Sequence, residues 1–541
     1  MRFLQRLTGK KPAKSAGGAG PRSTARYLRD TPTGIIRSRH ASLSDSRDDI
    51  RRSWRQAASL ALDIVQNSGR LKGMVDQVLA DTVGVELVLN PQPDLAHLGY
   101  DQKETTDFIR LVKKRWKKYA WNAAECDFRG KFTLPQQVDI ALRWHIVYGE
   151  VTGILDYMPA SVRRRYGIRT GTKLCLVPPT RLVQDTNEFA GLFQGVYHDD
   201  NGRVSAFLLE EKRNGFWTKV RYPARDGEGR TAFLHVFDPV DATDVRGISV
   251  MAAGIRKHLQ HETLEDVTLQ TSILQTFFAA VLTSDQPSAD AFEALDAIKD
   301  IRGEDSSSSG SEYVSEFVGY LNGSLERAAE SRLTVGSDPQ VSHLAPGEDF
   351  EFKTANTPGP QYQPLSASLS RDMARSVGIT YGALTMDHTN ATYSSTRMEN
   401  SSIWPVVARR RERIAAPVTQ TVYELWLEEE IATGRLPLKG GLAAFEANRD
   451  DVTWAQWQGP AKPTADDLRS AKASSERLAN GTSSVEIEAA ELGVDPDELF
   501  EERHRTHERY LAVGMRSPYE RATAAGNTDP SDGPAAKDVT S

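Results

Sequence analysis

The sequence predicts an α+β protein that is mainly helical, with a β-rich module inside its first half. Apolar residues recur at helical spacing over most of the chain, and short β-prone runs broken by turn signals occupy 171–240. A stretch without proline follows Gly247 to about Leu282 and repeats apolar residues roughly every 3.5 positions. At 541 residues the chain is long for one core, so we expect two to four modules.

Composition indicates a folded globular protein. Hydrophobic residues make up 39% and charged residues 26%, and no apolar run reaches the ~18–20 residues needed to span a bilayer. The first residues also lack an apolar run of signal-peptide length. Cys126 and Cys175 cannot form a disulfide framework and lack the partners of a zinc site, so we expect no cofactor, no membrane contact and folding in a reducing cytoplasm.

Charge is distributed unevenly along the chain. Residues 1–55 hold 14 Lys or Arg against 4 Asp or Glu, a net +10 in a chain whose net charge is −6, which leaves −16 for the remainder. We expect residues 1–45 to be a disordered basic arm. Such an arm either meets nucleic acid or an acidic partner, or is simply solvated.

The first part of the predicted fold is helix, helix, strand. Apolar spacing predicts one helix around 50–65, a second around 71–79 and then a strand that ends at Pro91. Two amphipathic helices are predicted at Asp107–Tyr119 and Leu134–Val147. The runs between 171 and 240 then predict a mainly antiparallel β module.

Long helices dominate the middle of the chain. The stretch from 247 to 282 predicts one helix on the order of 50 Å long at ~1.5 Å per residue. A few strands are predicted at 331–356, then a helix at 361–376 that stops at Gly378. After the polar loop 378–393 a helical run should continue to about Ile431, kinked or ended at Pro405 and Pro417.

Three shorter helices are predicted between 462 and 515. Ser483 or Ser484 and Asp495 are suitable N-caps, and Gly481 and Gly493 are suitable stops. We expect residues 516–541 to be disordered.

Signatures of catalysis are absent from the sequence. There is no phosphate-binding P-loop and no nucleophile elbow. The helical pairs His258/His261 and His504/His507 lack an evident third metal ligand, so solvated helix faces are expected there. The basic runs Arg163–Arg165 and Arg409–Arg411 with Arg413 either contact phosphate or are solvated or paired with carboxylates.

Three motifs in the C-terminal half identify a family resemblance. They are Leu344-Ala345-Pro346-Gly347-Glu348, a helix that runs through Met373 to Gly378-Ile379-Thr380-Tyr381-Gly382-Ala383-Leu384, and Tyr393-Ser394-Ser395-Thr396-Arg397. In type, order and spacing they resemble the motifs of the lambda-type portal proteins of tailed bacteriophages. The residues that carry this resemblance are Pro346, Gly347, Glu348, Gly378, Tyr381, Tyr393, Ser394, Ser395 and Arg397.

Shorter matches extend the resemblance over about 45–515. They are His235-Val236-Phe237, Arg246-Gly247, Gly149-Glu150, Cys126-Asp127, Trp454 and Glu491-Leu492-Gly493-Val494-Asp495. Two positions depart from the family pattern. Thr392 stands where the family usually has Asn, and Ser249 stands where it usually has Pro.

The resemblance implies a portal-protein fold and a subunit of a dodecameric ring. The implied parts are a wing at 46–245, stem helices at 246–284 and 361–377, a clip at 285–360, a tunnel loop at 378–393, spine helices and a connection at 394–461, and a crown at 462–515. Asp387, His388, Thr389 and Asn390 would face DNA from the tunnel loop, and Arg371 and Arg375 would lie near the lumen unless they pair across subunits.

The family's function implies several partners and no catalysis. The implied partners are further copies of the chain, double-stranded DNA in the channel, the terminase large subunit, the major capsid protein with its scaffold, and a head-tail connector. The implied location is the virion, with assembly in the host cytoplasm. Two other hypotheses are a nuclease or maturation protease, which would need a metal cluster or an activated nucleophile, and a head-tail adaptor or capsid subunit, which would lack the motifs of 344–397.

Overall fold

A computed structural model provides the structure. It describes residues 43–277, 280–284, 348–352, 358–389, 391–463, 467–494 and 496–519. The basic arm before residue 43, most of the expected clip, Pro346, Gly347, Asn390, Asp495 and the tail after residue 519 lie outside the described residues. The prediction of an α+β protein dominated by helices is confirmed.

Helices form most of the described chain. In order they are α1 (Ser46–Asn67), α2 (Gly69–Thr82), α3 (Gln102–Ala120), α4 (Ala123–Cys126), α5 (Leu134–Tyr148), α6 (Ala160–Tyr166), α7 (Ile255–Phe277), α8 (Tyr362–Val377), α9 (Tyr381–Thr385), α10 (Tyr393–Arg410), α11 (Ala416–Ala432), α12 (Gly441–Ala447), α13 (Arg449–Thr453), α14 (Asp467–Ala479), α15 (Val485–Glu491) and α16 (Pro496–Ala512). Among these residues, no helix is both long and apolar enough to cross a lipid bilayer.

Every described sheet is antiparallel. The strands are β1 (Val88–Pro91), β2 (Glu150–Tyr157), β3 (Thr172–Leu176), β4 (Leu192–Phe193), β5 (Val196–His198), β6 (Val204–Arg213), β7 (Phe216–Pro223), β8 (Phe233–Phe237), β9 (Ala280–Ser284), β10 (Glu348–Phe352) and β11 (Ala455–Gln458). Two sheets, ordered β3-β2-β8 and β4-β5-β6-β7, form the predicted β module, and the pairs β1–β11 and β9–β10 complete the set.

Strand β2 was missed by the sequence prediction. It is the central strand of its sheet, with Ile154 opposite both Cys175 and Phe233. Its first four residues are all buried, so it lacks the alternation of apolar and polar residues that marks a half-exposed strand. A short buried strand and a buried helical segment look alike in sequence.

The long-helix prediction was wrong at both ends. Helix α7 begins at Ile255 and ends at Phe277, so its 23 residues span roughly 35 Å. Residues before it are held in turns because Ser249 Oγ donates a hydrogen bond to the Ile146 carbonyl at 2.9 Å and accepts one from Met251 N at 3.2 Å. Residues 280–284 form a strand paired with β10 instead of the end of a helix.

Of the two outcomes predicted at Pro405, a kink or the end of a helical segment, the structure excludes the second. Helix α10 continues past it to Arg410. Pro417 does coincide with an irregularity, because it is the second residue of α11, directly after the π-helical turn Arg411–Ala415. A π turn widens the helix locally, which makes room for a residue that has no backbone N–H to donate.

The C-terminal segment forms three helices, as predicted. Ser484 caps α15, with its hydroxyl oxygen 3.3 Å from Ile487 N, and Gly481 and Gly493 have φ of +68° and +69°. Glycine adopts this left-handed conformation without a steric cost, which explains both stops.

An aromatic cluster joins α3 to α11 and β11 in the centre of the core. The Trp116 ring lies 5.2 Å from Trp426, 5.4 Å from Tyr423 and 5.6 Å from Trp457, measured between centroids. All four side chains are buried, so this cluster fixes α3 against α11 and β11.

Candidate functional site

The expected tunnel loop begins with a tight reversal at Gly378. This residue ends α8 with φ +81°, and its N–H donates to the Ala374 carbonyl at 2.9 Å. A Cβ at this position would lie 2.7 Å from Val406 Cγ1 on α10. Glycine is therefore required twice, once for its backbone conformation and once for the close approach of the two helices.

The loop is shorter and more ordered than predicted. Residues 381–385 form the short helix α9, which Thr380 caps by accepting from Ala383 N at 3.1 Å, and α10 begins at Tyr393 instead of Ser394. Met386 ends α9 with φ 55°. Between α9 and α10, the described residues that lie outside a helix are 386–389, 391 and 392.

Asp387 organises the tip of the loop. Its carboxylate accepts from Thr389 N at 2.9 Å and from the Tyr381 hydroxyl at 3.2 Å. Hydrogen bonds from the Thr389 hydroxyl and N–H hold the pKa of Asp387 below its ordinary value, so the group is anionic at neutral pH. Asp387, His388 and Thr389 are all exposed.

Two arginines of α8 lie beside this loop. Arg371 places its guanidinium 4.8 Å from the Tyr381 ring centroid, which is a cation–π contact, and both Arg371 and Arg375 are exposed. Within the described part of the chain, neither arginine has a carboxylate within 4 Å. Their role near a lumen, or in pairing across subunits, stays a prediction.

The Tyr-Ser-Ser motif begins α10 with a reciprocal cap. Thr392 Oγ1 accepts from Ser395 N at 3.2 Å, while Ser395 Oγ accepts from Thr392 N at 2.9 Å. Threonine is a good N-cap residue, so the departure from the family's Asn keeps the start of the helix capped. Tyr393, Ser394 and Arg397 are exposed on the first turns. Glu348 lies in β10, and its side chain is not described.

The basic run at the end of α10 and in the π-helical turn after it makes contacts within the chain. Arg409 and Arg413 both bind Asp238, at 2.7 and 3.1 Å, and Arg411 Nε donates to the Thr82 carbonyl at 2.8 Å. Arg410 is buried and donates to the Val377 carbonyl at 2.6 Å, directly before Gly378. Burial lowers the pKa of Arg410 to about 10. The interpretation in which this run pairs with carboxylates is confirmed for Arg409 and Arg413. Arg410 and Arg411 bind backbone carbonyls instead.

A buried ionic cluster was not predicted as a site. Arg246 and Glu150 are both fully enclosed, His235 Nε2 lies 3.0 Å from Glu150 Oε2, and the Arg246 guanidinium lies 4.3 Å from the Trp54 ring centroid. Burial would raise the pKa of Glu150, but the Arg246 charge and the hydrogen bonds from His235 and Arg246 outweigh it and leave the pKa lowered. The sequence did contain a signal for this cluster, because Glu150, His235 and Arg246 each lie in one of the short family matches.

Two glycines allow close contact between backbone segments in the same region. A Cβ on Gly149 would lie 2.1 Å from the Ile248 backbone, and a Cβ on Gly247 would lie 2.1 Å from the Gly149 carbonyl oxygen. The Gly149-Glu150 and Arg246-Gly247 dipeptides therefore meet face to face at the junction that leads into α7.

The prediction that His258 and His261 lie on a solvated helix face was wrong. Both are buried, and His261 accepts a hydrogen bond from Arg70 at its Nδ1, 2.7 Å away, and donates from Nε2 to Ser366 at 2.8 Å. Burial lowers the pKa of both imidazoles, which favours their neutral form. His504, in contrast, is exposed as expected.

The described ranges contain neither a metal-binding cluster nor a disulfide bond. No cluster of three or more His, Cys, Asp or Glu side chains there could hold a metal ion. Cys126 is buried and Cys175 half-buried, and both are free thiols. Burial raises the pKa of Cys126 to about 12, so this thiol is not a nucleophile at neutral pH.

Sequence comparison identifies the family. The profile described as "Phage portal protein, lambda family" matches residues 33–411, which include the α8–loop–α10 motifs and the Glu150–Arg246 cluster. This chain belongs to the lambda family of phage portal proteins. The resemblance derived from the motifs is thereby confirmed.

Curated relatives from this family align over most of their length. Portal protein B of Escherichia phage lambda is 25% identical over 464 residues, which cover 84% of each chain. The portal protein of Escherichia phage N15 is 24% identical over 489 residues, covering 87% of this chain and 88% of the relative.

Solved structures with a similar fold come from phage-like particles and a phage portal. A chain from "Virion of native gene transfer agent (GTA) particle" has a TM-score of 0.42 at 14% identity and covers 82% of this chain and 95% of its own. An HK97 family phage portal protein from Corynebacterium diphtheriae has a TM-score of 0.29 at 10% identity, and the match covers 69% of this chain and 90% of that protein. Because these scores are low, the family assignment depends on the sequence match.

Proposed function

We propose that this chain forms a dodecameric ring at one vertex of a phage capsid, and that double-stranded DNA is packaged and ejected through its channel. The ring docks the terminase large subunit during packaging and a head-tail connector afterwards, and the major capsid protein and scaffold surround it. It performs no catalysis. Assembly takes place in the host cytoplasm, and the final location is the virion.

Helix α7 carries this proposal because several of its apolar side chains are exposed. The side that packs on its own chain holds His258 and His261, which are 2% and 0% exposed. Leu259, Val267 and Leu269 of the same helix are 41%, 54% and 61% exposed. Apolar side chains left exposed along a helix indicate a surface that a further partner covers. In a ring, each subunit supplies that partner for the next.

A groove beside α7 supports the same arrangement. It lies between α1 and α7, has a volume of about 680 Å³, and is lined largely by apolar side chains, among them Ala57, Leu60, Ile248, Ile255 and Leu259. Cyclic rings use heterologous interfaces in which one face of a subunit fits a different face of its neighbour. A groove continuous with an exposed apolar helix face suits such an interface.

The net negative charge of the chain suits a channel through which DNA passes without being bound tightly. Twelve copies of a chain with net charge −6 sum to −72, and an acidic lumen repels phosphate and keeps sliding friction low. The loop residues Asp387, His388, Thr389 and Asn390 would face the DNA, with Arg371 and Arg375 close to the lumen. The anionic state of Asp387 favours transient contact over tight binding.

The first test is the mass and symmetry of the purified protein. Native mass spectrometry combined with negative-stain class averages should show a closed ring of about a dozen subunits around a central channel. A stable monomer or dimer under assembly conditions would instead support an enzyme or an adaptor.

The second test addresses the loop. Replacing residues 387–390 by a Gly-Ser linker of equal length should leave the ring intact but reduce the yield of DNA-filled heads. The matched control replaces the exposed turn 199–202, also four residues, in the same way. Normal yields of filled heads from the 387–390 variant would exclude a DNA-handling role for this loop.

A further inference from the structure

The end of α3, the segment after it and α6 carry a concentration of positive charge outside the expected tunnel loop. Residues 113–131 and 160–169 contain eleven Lys or Arg against two acidic residues, in a chain whose net charge is −6. The two segments are adjacent in the fold, because the Glu125 carboxylate accepts from Arg169 N at 3.0 Å and from Thr170 N at 2.9 Å. They therefore form one basic region.

Some of these cations have structural partners. Arg115 binds Glu430 at 3.1 Å, Arg163 binds Glu429 at 3.4 Å, and Lys117 lies 3.9 Å from Glu498. Six others are exposed and have no carboxylate within 4 Å among the residues described, namely Lys114, Lys118, Lys131, Arg164, Arg165 and Arg169. Six uncompensated charges on a net-acidic chain indicate an anionic partner.

Exposed aromatic rings lie among these charges. Trp121, at the end of the α3 stripe that contains Lys114 and Lys118, is 45% exposed, and Tyr166 beside Arg165 is 65% exposed. In the intervening loop, Phe128 and Phe132 are 43% and 37% exposed. Exposed apolar side chains concentrated in one region mark an interaction surface more often than a merely solvated one.

This region is separate from the expected tunnel loop. Arg410 contacts Val377 at the base of that loop, whereas Glu429 contacts Arg163 in α6. The helical run from α10 through α11 separates these two anchors by nineteen positions, which corresponds to roughly 28 Å. DNA that passes the loop and DNA that meets the basic region thus contact different parts of the subunit.

We propose that residues 113–131 and 160–169 form a second DNA-binding surface, which takes the phosphate backbone of double-stranded DNA outside the channel. The inference rests on the proposed function for its ligand, since packaged DNA is the polyanion that a portal would meet inside a capsid. Phosphate contacts by Lys and Arg need no base sequence and are strongly salt-dependent.

Circular duplex DNA separates this surface from the channel, because a circle without a duplex end cannot thread a closed ring. Binding of the full-length ring to nicked circular DNA is measured over a salt series. The triple variant Lys118→Ala, Arg164→Ala, Arg165→Ala should bind at least about tenfold more weakly at 0.1 M salt. Its slope of log K against log salt should fall by about 2 to 3, at ~0.9 per lost phosphate contact.

The matched control removes three exposed cations elsewhere, with Arg203→Ala, Lys212→Ala and Arg225→Ala, and should bind as the wild type does. The N-terminal segment is retained in every variant, so its charge cancels from the comparison. Unchanged binding by the first triple variant would overturn the proposal. Poly-glutamate that binds as tightly as DNA, with the same loss in that variant, would assign the surface to an acidic protein instead. Native mass spectrometry of each variant reports ring formation separately, so failure of the ring and failure of this surface are distinguishable.

Discussion

Arg246 and Glu150 form an ion pair from which solvent is fully excluded, with Arg246 Nε 3.0 Å from Glu150 Oε1. Arg246 also donates to the carbonyls of Leu182 and Pro179, at 3.4 and 3.2 Å. The pair therefore joins the start of β2 to the connection that leads into α7, where the expected wing and stem meet.

Breaking this buried pair should destabilise the protein strongly. Glu150→Gln leaves the Arg246 charge buried and uncompensated, at a cost of about 3–5 kcal/mol in the free energy of unfolding. The control is Asp76→Asn, which breaks the exposed pair with Arg143, whose side chains are 44% and 48% exposed, and should cost about 0–1 kcal/mol. Urea unfolding of both variants measures the difference, and equal costs would contradict the structural role assigned to the cluster.

His145 should make the protein sensitive to mild acid. Burial, reinforced by the Arg410 charge, lowers the pKa of this imidazole to about 4. Between pH 6.5 and 4 the unfolded chain binds a proton that the folded chain does not, so stability is complete above pH 6.5 and falls as the pH decreases towards 4. At pH 5 this loss amounts to about 2 kcal/mol.

The variant His145→Gln removes this titration while leaving the carboxylates unchanged. Its loss of unfolding free energy between pH 7.5 and pH 5 should be about 2 kcal/mol smaller than that of the wild type. Parallel losses in the two proteins would show that His145 does not account for the acid sensitivity.

Gly378→Ala should cost more stability than an alanine at an unobstructed left-handed glycine. The backbone conformation alone costs about 1 kcal/mol, and the added Cβ would also lie 2.7 Å from Val406 Cγ1, so a total of about 2–3 kcal/mol is expected. Gly434→Ala is the control, since it has φ +69° and no atom within 4 Å of the added Cβ. Melting temperatures of the two variants test whether the α8–α10 contact adds to the backbone strain.

A charge on the outer side of α7 should prevent ring formation without unfolding the subunit. Val267→Glu places a carboxylate on a side chain that is 54% exposed in the isolated chain and that the proposed ring would bury. Val240→Glu is the matched control, because Val240 is 83% exposed in the loop after β8. Native mass spectrometry should find monomers for the first variant and rings for the second, and circular dichroism should be unchanged in both. Rings from Val267→Glu would exclude this side of α7 from the subunit interface.

Local chemistry was sufficient to predict a large part of the protein. Gly378, Gly481 and Gly493 end helices because their left-handed conformation costs glycine nothing, and Ser484 caps a helix because its hydroxyl accepts a free N–H. The motifs around 344–397 were likewise specific enough to identify the family, since they combine residue type with order and spacing. Such signals act over a few residues and can be detected without knowledge of the rest of the fold.

Tertiary structure decided which polar groups are enclosed. Helical spacing cannot indicate that α7 buries His258 and His261 and exposes Leu259, because the choice depends on α2 and α8, which pack against it. Nor can spacing bring Glu150 to Arg246 across 96 residues, or assign Arg409 and Arg413 to Asp238 instead of to phosphate. Burial and ion pairing arise from contacts between segments far apart in the chain, and these contacts exist only after the segments have folded together.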